Sequence, residues 1–118
     1  MEKMESANCG NVMVLRHIWH RQAWVEFEDT VTYIHDAFGK GTAERVFNDV
    51  VARVRQLCLF PKSGLRYKDL YHRGNEVRIL HMRKASIIYF YDEETLYILS
   101  YWVNRRNPDG LIELLAAR

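Results

Sequence analysis

The chain has 118 residues, of which 48% are hydrophobic and 13% aromatic, and its formal net charge is +2. This apolar content is enough to close one core, and no stretch reaches the roughly 18 apolar residues of a membrane span. Two cysteines without ligand spacing exclude a disulfide framework and the common zinc motifs. We therefore expect one domain, residues 12–118, in the cytoplasm, with no membrane partner, metal or cofactor.

The N-terminal stretch MEKMESANCGN is polar and lacks the apolar core of a signal peptide. We interpret residues 1–11 as a disordered leader. The following residues 12–19, VMVLRHIW, are rich in β-branched and aromatic side chains, which favours a first strand.

Two helices are predicted next, because the spacing of apolar residues changes to alternating steps of three and four. The first stripe consists of Trp24, Phe27, Val31, Ile34 and Phe38, and the second of Ala43, Phe47, Val50, Val54 and Leu57. Glycines at 39 and 41 and a threonine at 42 separate the stripes, which indicates a helical hairpin. The side chains expected to be largely buried are Trp24, Phe27, Val31, Ile34, Phe47, Val50 and Val54.

Three strands are predicted in the second half, at residues 76–82 (EVRILHM), 86–91 (SIIYFY) and 95–102 (TLYILSYW). A loop beginning at residues 60–64 (FPKSG) precedes them, and the polar turn 92–94 joins the last two. Asn107 and Pro108 then have the pattern of an N-cap and a first helical residue, which predicts a short C-terminal helix. The order predicts an α+β fold: a four-stranded antiparallel sheet with the helical hairpin packed on one face.

These elements together resemble the RelE/ParE toxins of bacterial type II toxin–antitoxin systems, over residues 14–111. The resemblance includes LCLFPKSG at residues 57–64, Val77-Arg78-Ile79, Ile87-Ile88-Tyr89, and Trp102 followed by Arg105-Arg106-Asn107-Pro108. The tail WVNRRNPDGL is most similar to the ParE-like branch.

The resemblance implies a small toxin that a cognate antitoxin neutralises by wrapping its surface. RelE-like members cut messenger RNA in the ribosomal A site, whereas ParE-like members poison DNA gyrase. RNA-cleaving relatives carry a Tyr, or a His-Tyr pair, just after the last strand, and residues 107–111 of this chain contain neither. The sequence therefore favours a gyrase inhibitor, and an mRNA endoribonuclease or an inactive toxin-like binding module are the alternatives. A partner peptide is expected at the sheet edge or in the groove beside the helical hairpin.

Residues 62–118 carry ten Lys and Arg against seven Asp and Glu, so the second half is the basic one. Arg83, Lys84, Arg105 and Arg106 are expected to form one basic surface that binds an anionic target and that the antitoxin masks.

Cleavage of RNA requires a base, cations beside the phosphate and a proton donor. If the protein is a ribonuclease, the candidate catalytic residues are Arg78, His81, Arg83 and Tyr89. Ser86 stands where the resemblance places an arginine of the RelE-like nucleases.

Several of these residues also have a structural interpretation. Arg78 lies inside an apolar strand and is equally compatible with an ion pair to Glu26, Glu28 or Asp29 on the covering helix. Arg105 and Arg106 are compatible with a solvated cap or with pairing to Glu113. His81 alone is compatible with a half-buried structural role.

Overall fold

A computed structural model describes residues 14–118. The helices and strands in chain order are β1 (Arg16–Trp19), α1 (Arg21–Phe38), α2 (Lys40–Leu59), β2 (Leu65–His72), β3 (Asn75–His81), β4 (Ala85–Tyr91), β5 (Thr95–Val103) and α3 (Leu111–Ala117). One 3₁₀ turn, Pro61–Ser63, lies between α2 and β2. The predicted leader, residues 1–11, and the first two residues of the predicted first strand lie outside the described part of the chain.

The strands form one sheet in the order β1-β5-β4-β3-β2. The three predicted antiparallel neighbours β3, β4 and β5 are confirmed, and the architecture is α+β as expected. The prediction of an all-antiparallel sheet is wrong, because β1 pairs with β5 in parallel, from Arg16 opposite Thr95 to Trp19 opposite Ile98. The helical hairpin crosses from β1 at one edge of the sheet to β2 at the other, and the antiparallel strands β2 to β5 then return the chain, so that β5 runs beside β1 in the same direction.

The prediction of four strands is also wrong, since β2 adds a fifth at the sheet edge. Its sequence, LRYKDLYH, mixes charged and apolar residues without clean alternation, and its pairing with β3 shifts between Arg66 and Tyr71. Lys68 lies in this irregular part with φ at 55°. The turn into β3 has positive φ at both Arg73 and Gly74, which is the geometry of a tight two-residue hairpin.

The sheet has an apolar core on each face. The face under α1 and α2 buries residues from both helices and from β4 and β5, including Phe27, Val54, Ile87, Tyr89 and Ile98. The opposite face is covered by α3. The side chains buried there with Leu111 and Leu115 of α3 are Val77, Ile79, Ile88, Phe90, Leu99 and Trp102.

The predicted burial of the helical stripes is confirmed in part. Phe27, Val50 and Val54 are buried, and Val31 and Ile34 are half-buried. Trp24 and Phe47 remain 38% and 40% exposed, so the expectation that they are largely buried is wrong. Both rings pack against Phe27, at centroid distances of 5.7 and 5.6 Å, and they form the rim of an aromatic cluster rather than its centre.

The C-terminal helix begins later than the sequence pattern predicts. Asn107 is not its N-cap, because α3 starts at Leu111 after Gly110, which has φ of 81°. The Asn107 side-chain oxygen instead accepts a hydrogen bond from the backbone N–H of Asp109 at 3.0 Å. Asn107 thus stabilises a turn between β5 and α3, as asparagine commonly does.

The second half of β5 has an open edge, because β1 pairs only with its first four residues. The carboxylate of Glu26 on α1 accepts hydrogen bonds from the backbone N–H of Tyr101 at 3.2 Å and the hydroxyl of Ser100 at 2.9 Å. The guanidinium of Arg118 donates to the carbonyl of Leu99 at 2.7 Å and to both oxygens of Glu26 at 3.0 Å. We call these five residues the edge network, and they satisfy backbone groups that a sixth strand would otherwise pair.

Candidate functional site

The turn between β3 and β4 is tied to the end of β5 by one residue, Asn104. Its backbone N–H donates to the carbonyl of Lys84 at 2.9 Å, and its side-chain amide donates to the carbonyl of Met82 at 3.2 Å. These two bonds hold the turn residues Arg83 and Lys84 beside Arg105, which directly follows Asn104. The structure therefore brings together three of the four cations expected to bind the target, and all three are exposed.

The fourth cation, Arg106, turns away from the other three. Its guanidinium lies over the ring of Trp102, 4.3 Å from the centroid, and 3.5 Å from the carboxylate of Glu26. Its carbonyl also accepts a hydrogen bond from the Trp102 indole at 3.3 Å. Arg105 and Arg106 are adjacent in sequence, yet they belong to different surfaces, and Glu113 is paired with neither in the described structure.

The three grouped cations border a groove of about 1080 Å³ between the helical hairpin and the sheet. Its apolar surface includes Tyr33, Ile34 and Phe38 of α1, Val46 of α2, and Tyr101 of β5. We call this cavity the hairpin groove. Tyr33 and Phe38 are exposed, and their rings meet edge to face with centroids 6.5 Å apart.

Charge is unevenly placed around the hairpin groove. Arg45 of α2 joins Arg83, Lys84 and Arg105 at its border, and we call these four residues the basic rim. Asp29 and Asp49 lie on the helical side. Burial, and to a smaller extent the carboxylate of Asp49, raises the pKa of the Tyr101 phenol, so that ring stays neutral in the groove. An apolar floor with a basic rim suits an amphipathic ligand with acidic groups at its edge.

Two of the residues considered as catalytic, Arg78 and Tyr89, lie beneath the 3₁₀ turn. Arg78 is mostly buried and donates to the carbonyls of Gly64 at 2.7 Å and Lys62 at 3.3 Å, and to Glu76 at 3.1 Å. The helix-facing ion pair considered for Arg78 is therefore wrong, because its carboxylate partner is on its own strand.

Tyr89 is fully buried and fixes the same turn from the neighbouring strand. Its hydroxyl donates to the carbonyl of Pro61 at 2.7 Å and accepts from the backbone N–H of Gly64 at 3.0 Å. Burial raises the pKa of this phenol. A Cβ at Gly64 would lie 2.5 Å from the Tyr89 hydroxyl, so only glycine fits there without displacement. Both Arg78 and Tyr89 thus hold backbone. They pair with each other across β3 and β4, three residues along each strand from the pair formed by His81 and Ser86.

His81 is exposed at the end of β3, opposite Ser86 of β4. Its Nδ1 lies 3.0 Å from the Ser86 hydroxyl, which donates to the Asn104 side-chain oxygen at 2.8 Å. The half-buried structural role considered for His81 does not match this exposure. Sequence reasoning missed Asn104 and considered Ser86 only for its place in the resemblance, because their contact joins residues 18 positions apart.

No group of three or more His, Cys, Asp or Glu side chains arranged to hold a metal ion occurs in residues 14–118. Within the same residues, neither long helix is apolar enough to cross a membrane.

Comparison with known proteins gives a fold match only. No protein-family model and no curated protein matches the sequence. A solved structure titled "Chromosomal ParDE TA system from P. aeruginosa" contains a similar chain, with a TM-score of 0.59 and 16% sequence identity. The match covers 77% of this chain and 97% of that one. The ParE-like fold expected from the sequence is thereby confirmed.

Proposed function

We propose that this protein is the toxin component of a type II toxin–antitoxin module, acts in the cytoplasm, and has DNA gyrase as its target. The observation that carries the proposal is the hairpin groove, an apolar cavity with a basic rim on a fold shared with a chain of a ParDE TA system. Gyrase is preferred to the ribosome because residues 104–110, which follow β5, contain neither tyrosine nor histidine.

The cognate antitoxin occupies the hairpin groove in this proposal. The exposed rings of Tyr33 and Phe38 supply apolar area that a partner side chain would bury, and aromatic residues are common anchors at interfaces. The basic rim then pairs with acidic residues of the antitoxin. Binding there covers Arg83, Lys84 and Arg105 and so removes them from the target.

Paired substitutions test the groove. Phe38 and Phe60 are each 66% exposed, but only Phe38 lines the groove. Phe38→Asp should weaken binding of the antitoxin encoded by the neighbouring gene by at least 100-fold in titration calorimetry, because it places a charge in the apolar contact. Phe60→Asp should leave the affinity within threefold. Equal effects of the two variants would remove the groove as the antitoxin site.

The target-binding surface is tested without antitoxin. Arg83→Ala, Lys84→Ala and Arg105→Ala combined should abolish growth inhibition, while the melting temperature stays within about 3 °C, since exposed cations contribute little to stability. Arg55→Ala, an exposed arginine on α2, is the matched control. A wild-type protein that binds the antitoxin but never inhibits growth would identify the inactive binding module instead.

Purified gyrase distinguishes the two active alternatives. The wild-type protein should inhibit supercoiling of relaxed plasmid, and the triple variant should not. Inhibition of translation with cleavage of mRNA on ribosomes, and no effect on gyrase, would overturn the choice of target.

One observation favours that second function, a ribosome-dependent mRNA endoribonuclease. His81 is exposed and hydrogen-bonded at the same end of the sheet as Arg83, Lys84 and Arg105. An imidazole and cations at the same end of a sheet are the groups that can supply the base and the phosphate stabilisation that RNA cleavage needs.

A further inference from the structure

The side chains around His81 form a chain of hydrogen bonds with a defined direction. The chain runs from His81 Nδ1 to the Ser86 hydroxyl, then to the Asn104 Oδ1, while the Asn104 Nδ2 reaches the carbonyl of Met82. Ser86 is 2% exposed, so its hydroxyl has little access to water as an alternative partner. Each bond of the chain therefore restricts the next.

The Met82 carbonyl fixes the direction of every proton in this chain. A carbonyl only accepts, so the NH₂ group of Asn104 must face Met82 and the amide oxygen must face Ser86. That oxygen also only accepts, so the single hydroxyl proton of Ser86 is donated to Asn104. The Ser86 oxygen is then left to accept, and the Nδ1 of His81 must carry a proton.

We propose that Ser86 and Asn104 are positioning residues that hold His81 in its Nδ1–H form, with the lone pair of Nε2 facing solvent as a fixed proton acceptor. The catalytic role of His81 rests on the second candidate function, the endoribonuclease. In this proposal the buried hydroxyl of Ser86 orients the base.

The acceptor and the cations are positioned by the same residue. Asn104 bonds to both Met82 and Lys84, so it fixes the turn carrying Arg83 and Lys84 at the same time as it orients Ser86. Arg105 follows directly in the chain. The base and the three cations therefore lie at one end of the sheet, with the cations at the border of the hairpin groove and His81 outside it. They are the kinds of group that attack of a ribose hydroxyl on the adjacent phosphate requires.

The reaction at this site is a transesterification that balances internally. Nε2 of His81 takes the proton of the ribose 2′-hydroxyl as that oxygen bonds to phosphorus. The bond from phosphorus to the 5′-oxygen breaks, which leaves a 2′,3′-cyclic phosphate and a 5′-hydroxyl. The ribose 2′-oxygen loses one proton and the leaving 5′-oxygen gains one, and solvent carries the proton between His81 and the 5′-oxygen.

Nitrogen-15 NMR of the imidazole rings tests the positioning directly. At a pH where His81 is neutral, the wild-type protein should show a protonated Nδ1 and an unprotonated Nε2. Ser86→Ala should give a mixture of both tautomers because the acceptor for Nδ1–H is gone. Ser100→Ala, which removes another buried strand hydroxyl, is the matched control and should leave His81 unchanged. An Nε2–H ring in the wild-type protein, or an unchanged ring in Ser86→Ala, would overturn the inference.

Cleavage of mRNA on ribosomes tests the catalytic role. His81→Ala should lower kcat by at least 100-fold, the usual range for loss of a general base. Ser86→Ala should lower kcat about 10-fold with KM unchanged, and Ser86→Thr, which keeps a hydroxyl, should restore activity toward wild type. An Nδ1–H ring in a wild-type protein that cuts no mRNA would reject the endoribonuclease and the catalytic role while confirming the tautomer. Cleavage unaffected by His81→Ala would overturn the role of His81 as base.

Discussion

The edge network and the basic rim both rest on arginines, but these arginines have opposite environments. Arg118 and Glu26 of the edge network are 9% and 15% exposed, and together they satisfy backbone groups at the open edge of β5. Arg83 and Arg105 of the basic rim are exposed at a turn whose backbone is already paired through Asn104. Arginines needed by the backbone are structural, and arginines at an already paired turn are free to bind a partner.

The same contrast separates the two adjacent arginines that follow β5. Arg106 lies over Trp102 and near Glu26, so it extends the edge network toward solvent. Arg105 lines the hairpin groove. Two arginines that are adjacent after a strand therefore differ in role. Arg106 belongs with the structural edge network, and Arg105 belongs to the proposed binding surface.

Removing Glu26 should have the largest effect on stability. Glu26→Ala leaves the Arg118 guanidinium mostly buried without its carboxylate and leaves the Tyr101 N–H without an acceptor. Breaking one side of such a pair costs about 3 kcal/mol of unfolding free energy. Urea unfolding should show this loss, and Glu28→Ala, at an exposed site on the same helix, should change the free energy by less than about 0.5 kcal/mol. Similar values for the two variants would show that the edge network is not structural.

The 3₁₀ turn Pro61–Ser63 is a second region that buried side chains stabilise, through hydrogen bonds from Arg78 and Tyr89 to its backbone. Gly64→Ala should lower the unfolding free energy by about 2 kcal/mol, because the added Cβ meets the Tyr89 hydroxyl and the Ile79 carbonyl. Gly41→Ala is the matched control in α2, where the nearest atom is the Arg45 guanidinium at 4.0 Å. That control should stabilise the protein by about 0.5 kcal/mol, since alanine favours helix over glycine. Melting temperatures that move in the same direction for both variants would contradict this account of Gly64.

The sequence predicted those parts of the molecule whose signal is local. The stripes of α1 and α2 and the apolar runs of β4 and β5 repeat at short intervals, so periodicity was sufficient to place them. Strand β2 was missed because its edge position allows charged residues such as Arg66 and Asp69 on exposed surface. The parallel pairing of β1 was missed because a short strand carries no local signal of its direction.

In the candidate site, too, only the features with a local sequence signal were predictable. The cations at 83, 84 and 105 were found from their positions at strand ends, which is a local signal. The separation of Arg106 depends on Glu26, which lies 80 positions earlier on another element. Glu26 and Arg118 are 92 residues apart, and one sequence contains no indication that they meet.

Single substitutions of the adjacent arginines sharpen the comparison. Arg106→Ala should lower the unfolding free energy by about 1 kcal/mol, because it removes a cation–π contact and a partly exposed ion pair. Arg105→Ala should change it by less than about 0.5 kcal/mol. Growth inhibition should respond in the opposite order, with a strong loss for Arg105→Ala and little change for Arg106→Ala. Equal loss of toxicity in both variants would return Arg106 to the target-binding surface.

The smallest expected effect is a pH dependence that arises beside the edge network. Burial lowers the pKa of His20, with a further contribution from the Arg118 charge that Glu26 opposes. Burial also lowers the pKa of His72, as do the charges of Arg73 and His20, while the backbone of Arg118 opposes the shift. Both imidazoles are therefore more readily protonated in the unfolded chain than in the folded protein.

The sign of the effect follows from this difference. A group whose pKa is lowered by folding contributes its full stability above the unfolded value, ordinarily 6.5, and loses it as the pH falls through the folded value. The unfolding free energy should therefore decrease as the pH is lowered from about 7 toward 5. The double variant His20→Asn/His72→Phe keeps a side-chain oxygen to cap α1 at Gln22 and a ring to stack on Phe90, but neither new side chain titrates. Urea unfolding at a series of pH values should give a shallower slope for this variant than for the wild-type protein. An identical slope would mean that other groups set the pH dependence in this range, and that the two histidines near Arg118 contribute nothing to it.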